Sequence, residues 1–180
     1  KNGYHAHHGG GIYIASTSPT LEKCRFTGNY AESLGGAMLV APADSGVTRI
    51  RDCVFMENAS SIDAGLGGAV HLIGNVDAHG CLFQGNSSSR GGAIHLVGNE
   101  NGDDSSFHQC IFEGNLASQS GGAVDIESGK PLFDGCSFLS HGATRGGAVD
   151  VKDGIVVLNR CTFEQNVARL DAGDAFMDGG

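Results

Sequence analysis

Apolar residues along this chain fall into short bursts of two-residue alternation, not into helical stripes. One burst is C-x-F, seen at Cys24 and Phe26, Cys53 and Phe55, Cys81 and Phe83, Cys110 and Phe112, Cys136 and Phe138, and Cys161 and Phe163. An apolar residue stands three places before each cysteine: Leu21, Ile50, Ala78, Phe107, Phe133 and Leu158. A second burst, Φ-x-Φ, follows each glycine pair: Gly9-Gly10, Gly35-Gly36, Gly67-Gly68, Gly91-Gly92, Gly121-Gly122 and Gly146-Gly147, with Gly173-Asp174 a degenerate seventh copy. Alternation this brief, bounded by glycine, predicts short strands with one buried face.

The bursts are periodic. Successive cysteines lie 29, 28, 29, 26 and 25 residues apart. Three residues after each phenylalanine comes Asn29, Asn58, Asn86, Asn115 or Asn166, with His141 the one substitute. The unit reads Φ-x-x-C-x-F-x-x-N, a variable loop, then G-G-A-Φ-x-Φ. A unit of this length holding two or three strands is one coil of a solenoid, and leucine-rich or helical repeats lack this spacing. The expected fold is all-β, a right-handed parallel β-helix of about seven rungs. Coils stacked ~4.8 Å apart place each residue over its counterpart, which predicts ladders of Cys, Phe and Asn. Glycine suits corners that need positive φ or close backbone approach, and corner asparagines are expected in left-handed or bridge conformations with their amides hydrogen-bonded along the stack. Insertions fall between Asn and Gly-Gly, as from Asn58 to Gly67, and after the Φ-x-Φ strand, as from Gly98 to Ser106. Those loops are the natural sites of specificity.

Composition agrees with a folded repeat. Glycine makes up 30 of 180 residues, but proline only 3 and charged residues 17%, which is not the profile of a disordered Gly-rich chain. A net charge of −9 argues against nucleic acid and against anionic membrane as partners. No apolar run approaches the ~20 residues that span a bilayer, so direct membrane insertion is not expected. The chain opens without a signal peptide, and both ends fall inside a repeat. The expectation is a single segment, residues 1–180, of a longer chain, with the rest of that chain as its first partner.

The glycine tetrapeptides Gly67-Gly68-Ala69-Val70, Gly91-Gly92-Ala93-Ile94, Gly121-Gly122-Ala123-Val124 and Gly146-Gly147-Ala148-Val149 stand beside F-x-x-N at Phe26–Asn29, Phe55–Asn58, Phe83–Asn86, Phe112–Asn115 and Phe163–Asn166. In this the chain resembles the chlamydial polymorphic membrane proteins, whose hallmarks are GGA[ILV] and FxxN. The resemblance implies a pectin-lyase-like β-helix, displayed on the outer membrane as an autotransporter passenger and acting as an adhesin.

Candidate chemistry is sparse. The six cysteines share one inward slot with parallel Cβ vectors, a poor geometry for disulfides, so a ladder of free thiols is expected. No C-x-x-C pair offers zinc convergent thiolates. The middle position of Φ-x-Φ carries Tyr13, Leu39, His71, His95, Asp125, Asp150 and Met177, read as an outward row on a solvated face on which His95 and Asp125 pair. His71, His95 and Asp125 are weak metal candidates, since three groups in a straight row cannot all reach one ion. Asp103 and Asp104, in the acidic turn from Asn99, are weak calcium candidates without EF-hand spacing. His5, His7 and His8 form an N-terminal cluster better read as loop. Arg90 and Arg145 read as isolated solubilising charges, and Asn58 and Asn86 as sequons whose amides are occupied in the ladder.

No acidic group is expected to meet a basic one at fixed rung spacing, so the sequence reads as non-enzymatic and without cofactor. The first expectation is a cell-surface or extracellular module for adhesion or ligand binding, its partner a host-cell, carbohydrate or filament-subunit surface. The alternatives are a structural repeat of an extracellular filament and a polysaccharide lyase-like enzyme. Uncapped coils expose strand edges. The isolated 1–180 segment is therefore expected to self-associate, and sedimentation showing a cooperatively melting monomer would contradict this.

Overall fold

The computed structural model describes residues 4, 5, 8–41, 46–98 and 105–169, with residues 4 and 5 as backbone only. The described residues form no helix. They wind as a parallel β-solenoid in which each coil contributes one short strand to each of four parallel sheets. The central coil shows the order. Asn75–His79 is followed by Leu82–Gln84, Ser87–Arg90 and Ile94–Val97, each pairing with the equivalent strand of the coils above and below. Three sheets have six strands, and the sheet that contains Ser87–Arg90 has seven. The sequence pattern suggested two or three strands per coil. The strand after Asn escapes it because stretches such as Ser87-Ser88-Ser89 carry no apolar alternation.

Register is unbroken along the phenylalanine stack. Phe26, Phe55, Phe83, Phe112, Phe138 and Phe163 pair in series, their rings 4.7 to 4.9 Å apart and within 7° of parallel. Phe107 and Phe133 form a second stack at 4.7 Å, and Phe133 meets Phe112 and Phe138 edge-on. The glycine-led strands supply the opposite wall, with Val70, Ile94 and Val124 over one another and Leu72, Leu96 and Ile126 beside them, all buried. All six cysteines are free. Their thiols cap backbone carbonyls, Cys81 Sγ donating to Ile50 O at 3.5 Å and Cys136 Sγ to Phe107 O at 3.3 Å. Burial pushes the Cys53 thiol up to about 11, so at that coil the thiol acts as a small apolar group and not a nucleophile.

Each coil turns at three left-handed corners. The residue before each cysteine has positive φ (Lys23, Asp52, Gly80, Gln109, Gly135, Arg160), and so does the residue before each asparagine or its substitute (Gly28, Glu57, Gly85, Gly114, Ser140, Gln165). The asparagine itself is not left-handed, which was one of the two corner conformations the sequence suggested for it. It serves as a cap. Asn86 Oδ1 accepts from Asn58 N at 2.9 Å and from Asn58 Nδ2 at 3.0 Å, while Asn86 Nδ2 donates to Phe55 O at 3.0 Å. Asn58 and Asn86 are buried with their amides engaged, which leaves neither sequon open to a glycan.

Two of the corners tolerate side chains and the third does not. A Cβ on Gly114 would meet nothing within 4 Å. At the glycine pair, a Cβ on Gly91 would run into Ile94 O, and one on Gly92 into Gly122 O. Backbone atoms cannot step aside, so the pair recurs while the other corners vary.

The Asn ladder yields a stability prediction. Asn86→Ala strands two donors of Asn58 and the carbonyl of Phe55 in a dry interior, at a cost of about 3 kcal/mol. Asn166→Ala, at a half-buried position, should cost clearly less. Urea denaturation of both variants is the check, and equal losses would show that the ladder does not hold the coils together.

Candidate functional site

The tight turn at each glycine pair brings the residue before it onto the residue five places later. Ser120 Oγ donates to Asp125 Oδ1 at 2.6 Å. Arg145 Nε and Nη2 donate to Asp150 Oδ1 and Oδ2 at 2.8 and 2.9 Å. The residues before the pairs stack in register, from His8 through Leu34, Leu66 and Arg90 to Ser120 and Arg145. This row lies over the middle positions of Φ-x-Φ. Tyr13, on the first coil, is 58% exposed as the sequence expectation had it, but from Leu39 to Asp150 the row is a second buried layer outside the sheet: His71 is 2% exposed, His95 and Asp125 0%, and Asp150 6%.

Within that layer the chemistry is connected across coils. His71 and His95 approach Nδ1 to Nδ1 at 3.1 Å, so one imidazole donates and the other accepts. His95 Nε2 lies 3.2 Å from Asp125 Oδ2, off the hydrogen-bonding direction. Arg90 bridges Asp125 at 2.9 Å and Glu127 at 2.8 Å, and Lys152 takes the other Glu127 oxygen at 2.9 Å. The Lys152 hydrogen bond, followed by Arg90, holds the Glu127 carboxyl down at about 2. Burial, then the neighbouring His95 and His8, holds His71 down at about 3. Arg90 and Arg145 are thus the partners of Asp125 and Asp150, not isolated solubilising charges. Acid does meet base at fixed rung spacing, but as paired ions.

The metal candidates come out unevenly. The structure places His71, His95 and Asp125 in a row, each touching only the next, and among the described residues their ligand atoms do not converge on one point as a metal site requires. Asp103, Asp104, His7 and Met177 lie outside the described residues, as does Gly173-Asp174, and His5 is described as backbone only. The sequence reading missed a different group, Asp77, His79 and His108, whose ligand atoms lie within 4.8 Å of one another. Its signal was present, since both histidines stand two residues before a cysteine in successive coils.

Beside the buried layer runs a surface groove in two connected parts. One part, about 370 Å³, is lined by Arg90, Ser118, Gln119, Ser120, Thr144, Arg145 and Lys152. The other, about 340 Å³, shares Ser118 and Thr144 and adds Ile62, Leu116, Ala117 and Arg169. Gly142 lies between Leu116 and Val167 in register and leaves the groove floor open there. The wall is the long insertion after Asn58, which reaches along the solenoid axis. Ser118 Oγ donates to Ile62 O, and Gln119 Nε2 to Asp63 O at 3.5 Å.

The buried histidines set a pH dependence. A depressed folded pKa means that the unfolded chain takes up a proton which the fold refuses. His71, and His141 held at about 4 by burial, therefore contribute stability that is complete above about pH 6.5 and is lost as pH falls toward those values. His71→Leu, which repeats Leu39 one coil earlier, should remove about half of the stability loss between pH 6.5 and 4.5. Urea midpoints at the two pH values measure it, and an unchanged loss would mean His71 is not held neutral by the fold.

Comparison with curated proteins and with solved structures gives no match. A profile of the Chlamydia polymorphic membrane protein repeat matches residues 80–96 and 109–127. Each match takes in the Cys, Phe, Asn and Gly-Gly positions that form one coil's corners and stacks. The chain carries repeats of the Chlamydia polymorphic membrane protein type, wound as a parallel β-solenoid.

Proposed function

We propose that this chain is a non-enzymatic binding module of a cell-surface protein, and that its groove takes an extended acidic polysaccharide of a partner surface, as an adhesin does. The observation that carries the reading is the composition of the groove. Hydroxyls of Ser118 and Thr144 and the amide of Gln119 suit sugar hydroxyls, and Leu116 and Ile62, both well exposed, offer apolar contact to a sugar face. Arg145, Lys152 and Arg169 supply positive charge on a molecule of net charge −9. Arg145 and Lys152 keep about half their side-chain surface exposed while paired, so a carboxylate or sulfate has access to them.

The same geometry argues against catalysis. A glycosidase or lyase needs carboxylates or bases free to exchange protons with substrate. Here Asp125 and Asp150 are buried under Arg90 and Arg145, and Glu127 is held between Arg90 and Lys152. The repeat type supports display at the surface, because the family it comes from is one of membrane proteins.

The test is calorimetric titration of the chain with polygalacturonate or heparin oligosaccharides at low and high salt. Binding should weaken with salt, and Arg145→Ala combined with Lys152→Ala should weaken it about tenfold or more. Affinity unchanged by that double variant would overturn the groove assignment. Depolymerisation of the oligosaccharide would overturn the non-enzymatic reading.

A further inference from the structure

A second face of the solenoid carries a group of residues that the groove does not use. On the sheet before the cysteine corner, Asp77 and His79 point outward from one strand, alternating with the buried Val76 and Ala78. His79 pairs in register with His108 of the next coil, and their rings are 4.7 Å apart with planes 21° from parallel. One ligand atom from each of Asp77, His79 and His108 lies within 4.8 Å of the other two. The arrangement is L-shaped, two imidazoles across adjacent strands and a carboxylate two residues along one of them. This escapes the limit on a straight row, where no third ligand could reach.

The surroundings orient these side chains. Arg51 Nη2 holds Asp77 Oδ2 at 3.0 Å and fixes that carboxylate beside His79. Asp134 Oδ2 lies 3.7 Å from His108 Nδ1 and is itself held by Arg160 at 2.7 Å. A carboxylate beside a ligating histidine is the usual outer partner of such a site. Next to the histidines is an open cleft of about 340 Å³, floored by Gln109 and Gly135 at the left-handed corner. The three residues are partly exposed, so the rings can tilt together without moving the core.

We propose that Asp77, His79 and His108 form a surface site for a divalent transition metal of the zinc class. Two imidazoles and one carboxylate match the donor preference of Zn²⁺ and its neighbours, not that of Ca²⁺, which takes oxygen ligands. Bonds of about 2.0–2.2 Å require the ligand atoms to draw closer than 4.8 Å, and the partial exposure of all three side chains leaves them room to rotate. Three protein ligands leave a coordination position open toward the cleft.

Equilibrium dialysis of the full chain against Zn²⁺ with excess Ca²⁺, read by elemental analysis, tests this. The expected result is one bound zinc per chain at this site, with affinity falling about tenfold or more in His79→Asn and in His108→Asn. Both substitutions lie on the surface, and unchanged circular dichroism and urea midpoints will show that the coils remain intact. A companion variant with His5, His7 and His8 all replaced by Asn must keep the zinc. Zinc binding that survives His79→Asn combined with His108→Asn, or that disappears with the N-terminal histidines, overturns the proposal. So does displacement of the zinc by Ca²⁺.

Discussion

Parallel pairing in strict register governs this molecule. Within the paired strands most side chains have a counterpart from the neighbouring coils one strand spacing away, with register shifts after Ser88 and after Leu96, so a residue there is acceptable only if it can be stacked on its own kind or on a complement. Phenylalanine satisfies this with parallel rings, the thiol by being small and neutral, and asparagine by carrying both donor and acceptor. Charge does not satisfy it unaided. Asp125 and Asp150 lie directly opposite each other in register, an arrangement that repulsion opposes. It persists because Arg90 is drawn over one carboxylate and Arg145 over the other. The row before the glycine pairs is thus a neutralising layer, set by what lies beneath it. Leu66 accompanies His71, and leucine again accompanies Leu39.

The same constraint decides what could be read from sequence. A ladder that stacks like on like writes itself as a period, and the repeat of Cys, Phe, Asn and Gly-Gly made the solenoid legible before any coordinates. Left-handed corners were placed one residue late, on the asparagines. Gly28, Gly85 and Gly114 hinted otherwise, but Glu57, Ser140 and Gln165 occupy the same corner and masked the signal. The strand after asparagine was invisible because its inward residues, such as Ser60, Ser88 and Ala117, are small and not distinctively apolar.

The site was harder to read, for a geometric reason. Period-two alternation says which residues leave the core, but not whether something covers them. His71, His95 and Asp125 leave the core and are covered all the same, because a left-handed glycine folds the preceding residue back over them. That depends on a pairing five residues apart within a coil and on one between coils, and a single strand's pattern carries neither. Arg90 and Arg145 looked isolated for the same reason. Their partners are Asp125 on the next coil and Asp150 beyond the turn.

Variation enters this frame where the backbone can leave and rejoin it. The corner between asparagine and the glycine pair is such a place, since neither the amide ladder nor the glycine contacts involve the residues between. After Asn58 the chain uses that freedom for a longer excursion, and the excursion lies along the axis, reaching Ser118 and Gln119 two coils on. The shorter turns after Asn86 and Asn115 lie under it. One insertion therefore makes a wall for several coils, and the groove that results is a property of the stack, not of any one repeat. The face carrying His79 and His108 is built the other way, by placing a reactive side chain in the same slot of neighbouring coils. Any pair of side chains whose chemistry works at one strand spacing can be mounted on this solenoid by two substitutions, without disturbing the phenylalanines that hold it.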